Sequence, residues 1–145
     1  MTCAFFGHGD CYDMDKDKLR LAIEELISNG VDTFYVGNQG HFDSMVFENL
    51  LNLKSNYQHL CISVVLAYMP TKKSEYDPYL GYSIYPEGIE LGPPRFAIER
   101  RNNWMVNQAN YCLCYINHAW GGAYKFVYQA KRKGVKIINL GTEEI

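Results

Sequence analysis

The chain has 145 residues, 48% of them hydrophobic and 21% charged, with a formal net charge of −2. That length suits one domain, large enough to bury roughly 70% of its unfolded surface without staples. The near-balanced charge argues against a protein that coats nucleic acid, and no apolar run reaches the ~18 residues needed to span a bilayer.

The N-terminal run Thr2–Phe6 is apolar and ends at Gly7. It has no basic flank and no small-residue cleavage site, so it reads as a buried strand rather than a signal peptide, and a cytoplasmic protein is expected. Asp15–Asn29 carries Leu19, Ala22, Ile23, Leu26 and Ile27 at the 3.6-residue period of an amphipathic helix. Asp15 or Asp17 supplies acidic charge to its first turn, and Gly30 is the expected C′ residue. Thr33–Val36 is a second strand. Phe42–Leu53 places Phe42, Met45, Val46, Asn49, Leu50 and Leu53 at helical spacing, and Leu60–Leu66 is a third, β-branched strand.

Residues 67–94 break the pattern. They are rich in Tyr, Pro and Gly, with Tyr68, Tyr76, Tyr79, Tyr82 and Tyr85, and show no sustained period. So long a structureless insertion is expected to be a lid or an interface between copies of the chain. Its aromatic content is too high for a disordered segment. Regularity returns with a helix over Arg95–Gln108, with Phe96, Ile98, Trp104, Met105 and Ala109 available for burial. A fourth strand (Tyr111–Ile116), a helix (Gly121–Lys133, ending at Gly134) and a last strand (Lys136–Leu140) follow.

Alternating strands and helices predict an α/β fold: a Rossmann-like, doubly wound, parallel five-stranded sheet of order 3-2-1-4-5. In such sheets ligands bind beyond the carboxyl ends of the strands, at the switch point between the first and fourth. The five cysteines (Cys3, Cys11, Cys61, Cys112 and Cys114) read as reduced thiols. The Cys112-Leu113-Cys114 spacing puts two sulfurs on one strand face and is not a metal knuckle.

Three loops converge on the switch point. The first holds Gly7, His8, Gly9 and Asp10; the second runs from Gly37 through Asn38, Gln39, Gly40, His41 and Phe42 to Asp43. The third runs from Asn117 through His118, Ala119 and Trp120 to Gly121 and Gly122, with Ala123 behind them. Gly121-Gly122 opens a helix, where free N–H groups and the helix dipole favour an anion. Arg95, Arg100 and Arg101 lie around the preceding helix, and arginine grips phosphate or carboxylate with charge-assisted bonds. His8, Asp10, His41 and Asp43 are of types that suit a divalent ion, but their spacing fits no metal signature, so neither a metal nor another cofactor is expected.

Four stretches together resemble the SLOG superfamily, most closely its YpsA-like branch from Firmicutes and their phages. They are Thr2–His8, the Gly-x-x-Gly-x-Phe-Asp of Gly37 to Asp43, Arg101-Asn102-x-Trp104-Met105, and Gly121-Gly122. The resemblance spans nearly the whole chain. It implies a nucleotide-type ligand, with Arg101 and the Gly121-Gly122 turn on phosphate and Gly7, His8 and Asp43 lining the remainder. Distant relatives include the Lonely Guy phosphoribohydrolases and DNA-processing protein A.

Two departures bear on activity. The catalytic glutamate of the Lonely Guy pattern falls on Tyr128, and tyrosine cannot replace an ionised carboxylate that activates water. The His-Arg-Asp usual in the YpsA-like branch is here His8-Gly9-Asp10. The first expectation is therefore a binding module that senses or sequesters a phosphate-bearing nucleotide signal, with the Tyr-rich insertion over the base or between protomers of a homo-oligomer. The alternative is a nucleoside-phosphate N-glycosidase using Asp43 or Asp10, with Glu99 a distant third.

Overall fold

The computed structural model describes residues 1–9, 11–69 and 81–145; Asp10, Tyr76 and Tyr79 lie outside them. The elements in chain order are β1 (Thr2–Gly7), α1 (Lys16–Ser28), β2 (Thr33–Val36), α2 (Gly40–Lys54), β3 (Cys61–Val65) and β4 (Ser83–Ile84). A 3₁₀ turn (Pro94–Phe96), α3 (Ala97–Gln108), β5 (Tyr111–Tyr115), α4 (Gly122–Arg132) and β6 (Lys136–Asn139) complete them. All strands are parallel, in the order β4-β3-β2-β1-β5-β6.

The sheet therefore has six strands where five were expected, and the order gains a member at one edge. The extra strand comes from the insertion. The N–H of Val64 donates to Tyr82 O and that of Leu66 to Ile84 O, both at 2.9 Å, so the segment covers the free edge of β3. Two residues are too few to show a period in sequence. The same insertion buries Ile89 and lays Tyr82 and Tyr85 against the core.

Alternation within each strand feeds two cores. Phe5, Phe34 and Leu113 point toward α1 and α2, where Leu19, Ile23, Val46 and Leu50 meet them. Ala4, Phe6, Cys112 and Cys114 point toward α3 and α4 and meet Met105, Val106, Phe126 and Val127. Burial on both faces explains the near-continuous apolar runs of β1 and β5. Cys3, Cys11, Cys112 and Cys114 are buried free thiols, whereas Cys61 is exposed. Burial pushes the Cys3 thiol far above its ordinary range.

Helix ends follow their local chemistry. Asp15 caps α1, its side chain accepting from Asp17 N–H at 2.8 Å, and Gly30 follows at φ +98°. Before α3 the helix expected from Arg95 is instead a 3₁₀ turn. Pro93 and Pro94 fix φ there, and the N–H of Phe96 reaches back to Pro93 O. This shift corrects two burial expectations: Phe96 and Ile98 are 43% and 37% exposed, while Arg101 is 2% exposed. Among the described residues no helix is long and apolar enough to cross a membrane.

Gly7 ends β1 against the fully buried ring of Phe42; a Cβ on Gly7 would stand 2.3 Å from that ring. Gly7→Ala is expected to destabilise the fold toward the top of the ~1–3 kcal/mol range for overpacked cores. Urea unfolding measures it, and an unchanged midpoint would mean that Phe42 repacks freely.

Candidate ligand-binding site

Beyond the carboxyl ends of β1 and β2 lies a cleft of about 190 Å³. Gly7 and Gly37 form its floor, Gln39 and Asp43 one wall, Ile98, Arg101, Asn102 and Met105 of α3 another, and Gly122 and Ala123 of α4 a third. Phe5 and Phe6 close its apolar base.

Arg101 is the cation of this cleft. Ala97, Arg101 and Met105 recur every four residues on α3 and all three are buried, so the helix turns the guanidinium inward with its apolar stripe. Nε donates to Asn102 Oδ1 at 2.7 Å, and Nη1 to Val65 O at 3.0 Å and Asn38 Oδ1 at 3.3 Å. These bonds fix the fork and leave Nη2 with no hydrogen-bond partner among the described residues. No buried side-chain nitrogen there goes unpaired, so Nη2 keeps access to the cleft that Arg101 lines. Burial lowers the Arg101 pKa, with Asp43 and Tyr68 acting in the opposite sense.

Asp43 stands in the first turn of α2, its Oδ2 accepting the N–H of Gln39 at 2.9 Å. Burial pushes its carboxyl from the ordinary 3.8 up to about 6, against the opposing pull of the Gln39 N–H and Arg101. Gly37 lets the two charges approach. A Cβ there would stand 2.8 Å from both Arg101 Nη1 and Asp43 Oδ2.

The third wall is a helix start. Gly121, at φ +93°, swings the chain into α4, and the first helical bond runs from Lys125 N–H to Gly121 O. The N–H groups of Gly122, Ala123 and Tyr124 precede that bond, and Gly121 brings no side-chain cap to them. An anion between these amides and Nη2 would meet donors from two sides.

Of the residues expected to bind ligand, Gly7, Gly37, Asp43, Arg101, Gly122 and Ala123 line the cleft. Most of the other described ones sit around it and are engaged elsewhere. His8 is buried, its Nε2 accepting Asn117 N–H at 3.1 Å, and its ring stacks on His118 at 3.7 Å; His118 stacks on Trp120 at the same distance. Asn117 turns its Oδ1 to the backbone N–H and hydroxyl of Thr142. Asn38 holds Arg101, Phe42 packs under Gly7, and Gly40 lies against Gly9, whose carbonyl accepts the N–H of His41. Gly121 borders a separate groove with Tyr124 and Tyr128. Glu99 pairs with Lys125, and Asp10 is outside the described residues.

The loops after parallel strands must satisfy their own backbone groups. That need claims several polar residues that composition alone suggests for a ligand.

Sequence reasoning missed Phe5, Phe6, Gln39, Ile98, Asn102 and Met105 as lining residues. The last three had a readable signal: with Arg101 they fall at i, i+3, i+4 and i+7 on one helix face. Among the described residues no three His, Cys, Asp or Glu side chains gather as metal ligands; His41 instead lies against Tyr12.

No protein-family model matches this chain, and no curated protein matches it significantly.

Proposed function

We propose that this chain is a SLOG-type domain that binds a phosphate-bearing, nucleotide-derived small molecule in the cleft, as a sensor or sequestering protein. One observation carries the reading: Arg101 is buried, clamped by three hydrogen bonds, and left with one guanidinium nitrogen for the cleft. A desolvated cation is costly unless something anionic meets it, and the neighbouring Asp43 is a carboxyl whose ionisation burial opposes. The amides at the start of α4 complete an anion site. All four stretches that resemble the superfamily contribute to this one cleft, through Gly7, Gly37 and Asp43, Arg101, and Gly122.

An N-glycosidase is the second reading. Asp43 favours it, since a carboxyl near pH 6 can carry a proton in either direction. Tyr128, at the position of the Lonely Guy glutamate, borders the outer groove of α4 and stacks on Tyr124.

The test is thermal unfolding against inorganic phosphate, nucleoside monophosphates, dinucleotides, NAD, ADP-ribose and cyclic nucleotides, with mass analysis of whatever is recovered. Ligand at 100 times its Kd is expected to stabilise by about 2.7 kcal/mol, or about 5–11 °C in Tm. Intact ligand supports a binding module; free base moves the assignment to the glycosidase. No shift with any of these compounds overturns both.

A further inference from the structure

Resting on that reading, we propose that the ligand's ring is a nucleobase seated outside the cleft, on an apolar ledge made by Tyr68 and Ile98.

Volume is the first argument. At about 190 Å³ the cleft accommodates a phosphate and part of a sugar, but falls below the ~300–1,000 Å³ of sites that enclose a whole small-molecule ligand. A nucleotide held by its phosphate at Arg101 must leave through an open side.

The second argument is what lies on that side. Ile98 both lines the cleft and is 37% exposed, three residues before Arg101 on the same helix face. Tyr68, just beyond β3, is 47% exposed, and its hydroxyl donates to Pro94 O at 3.0 Å. That bond ties the phenol to the turn that opens α3, four residues before Ile98. The side chain therefore has its polar end satisfied and held, in a residue that stays nearly half exposed. Isolated exposed apolar side chains are ordinary. An aromatic and a β-branched residue fixed beside the open end of an anion cleft form a platform for a flat apolar ring, as aromatic faces do for bases.

Calorimetric titration of the intact chain with inorganic phosphate, ribose 5-phosphate and AMP tests this. AMP is expected to bind at least tenfold more tightly than ribose 5-phosphate. Tyr68→Ala, at an exposed position outside the cleft lining, is expected to shrink that ratio about fivefold or more while leaving ribose 5-phosphate affinity unchanged, and Ile98→Ala to shrink the ratio by a similar factor. Tyr68→Phe, which keeps the ring and loses the tether, is expected to retain most of the ratio. If ribose 5-phosphate and AMP bind equally, or the alanine variants keep the ratio, the ledge is overturned and the phosphate site stands. If none of the three compounds binds, the phosphate reading falls and takes the ledge with it.

Discussion

Replacing Arg101 with methionine is expected to weaken phosphate and AMP binding about 30- to 150-fold, the weight of one charge-assisted bond of about 2–3 kcal/mol. Methionine keeps the length of the side chain and its contact with the apolar stripe of Ala97 and Met105. It removes the guanidinium that lines the cleft. Lysine is expected to restore only part of the affinity. A single ammonium cannot bond Asn102 and Val65 while also facing a ligand, as the guanidinium fork does. Calorimetry gives the affinities, and a urea melt of each variant reports whether the fold survives. Unchanged affinity in a folded Arg101→Met variant would reduce Arg101 to a brace between β3 and α3.

Asp43→Asn is expected to stabilise the protein by about 3 kcal/mol at pH 7.5, an order-of-magnitude figure from a shift of roughly two pH units at 1.36 kcal/mol each. The sign follows from proton linkage. The folded carboxyl, at about 6, holds its proton more tightly than the unfolded one at 3.8. Its stabilising contribution is fully present below pH 3.8 and is lost as pH rises through 6. Asparagine stays neutral throughout and still offers an oxygen to the N–H of Gln39. The gain should vanish near pH 3.5, so urea midpoints at pH 3.5 and 7.5 suffice. Equal midpoints for the two proteins at pH 7.5 would mean that the carboxylate is fully compensated in the fold. A gain in stability with a loss of ligand affinity would mark Asp43 as a residue kept for its function.

The cores of this protein were legible because burial on both faces leaves long marks in sequence. Thr2–Phe6 and Tyr111–Ile116 could be read as buried strands from their apolar runs, and Leu19, Ile23 and Leu26 as one helix face from their period. Ser83–Ile84 carried no such mark, since that strand exists only because β3 offers an edge.

The site was legible in part for a related reason. Glycines at strand ends are visible, but whether each opens onto a cleft or onto a neighbouring loop depends on contacts far along the chain. Gly37 faces Arg101 from α3, whereas Gly40 faces Gly9. His8 suggested a ligand contact by its type and place, yet its Nε2 serves the Asn117 backbone 109 residues away. Arg101 could be noted as a cation from sequence. Its burial followed only from reading it as a member of the apolar stripe.

The position of β1 also bears on how the chain reaches this state. β1 is made before the other strands of this sheet and lies at its centre, yet one of its two edges waits for a partner about 108 residues downstream. At ~5–20 residues per second that edge stays open for several seconds during synthesis. Until then β1, β2 and β3 can pair only as a half-sheet, with Ala4 and Phe6 uncovered on the side that α3 and α4 later close. The cleft, which draws on both halves, is therefore among the last features to form, and nascent chains that stop before α4 should aggregate readily while binding nothing.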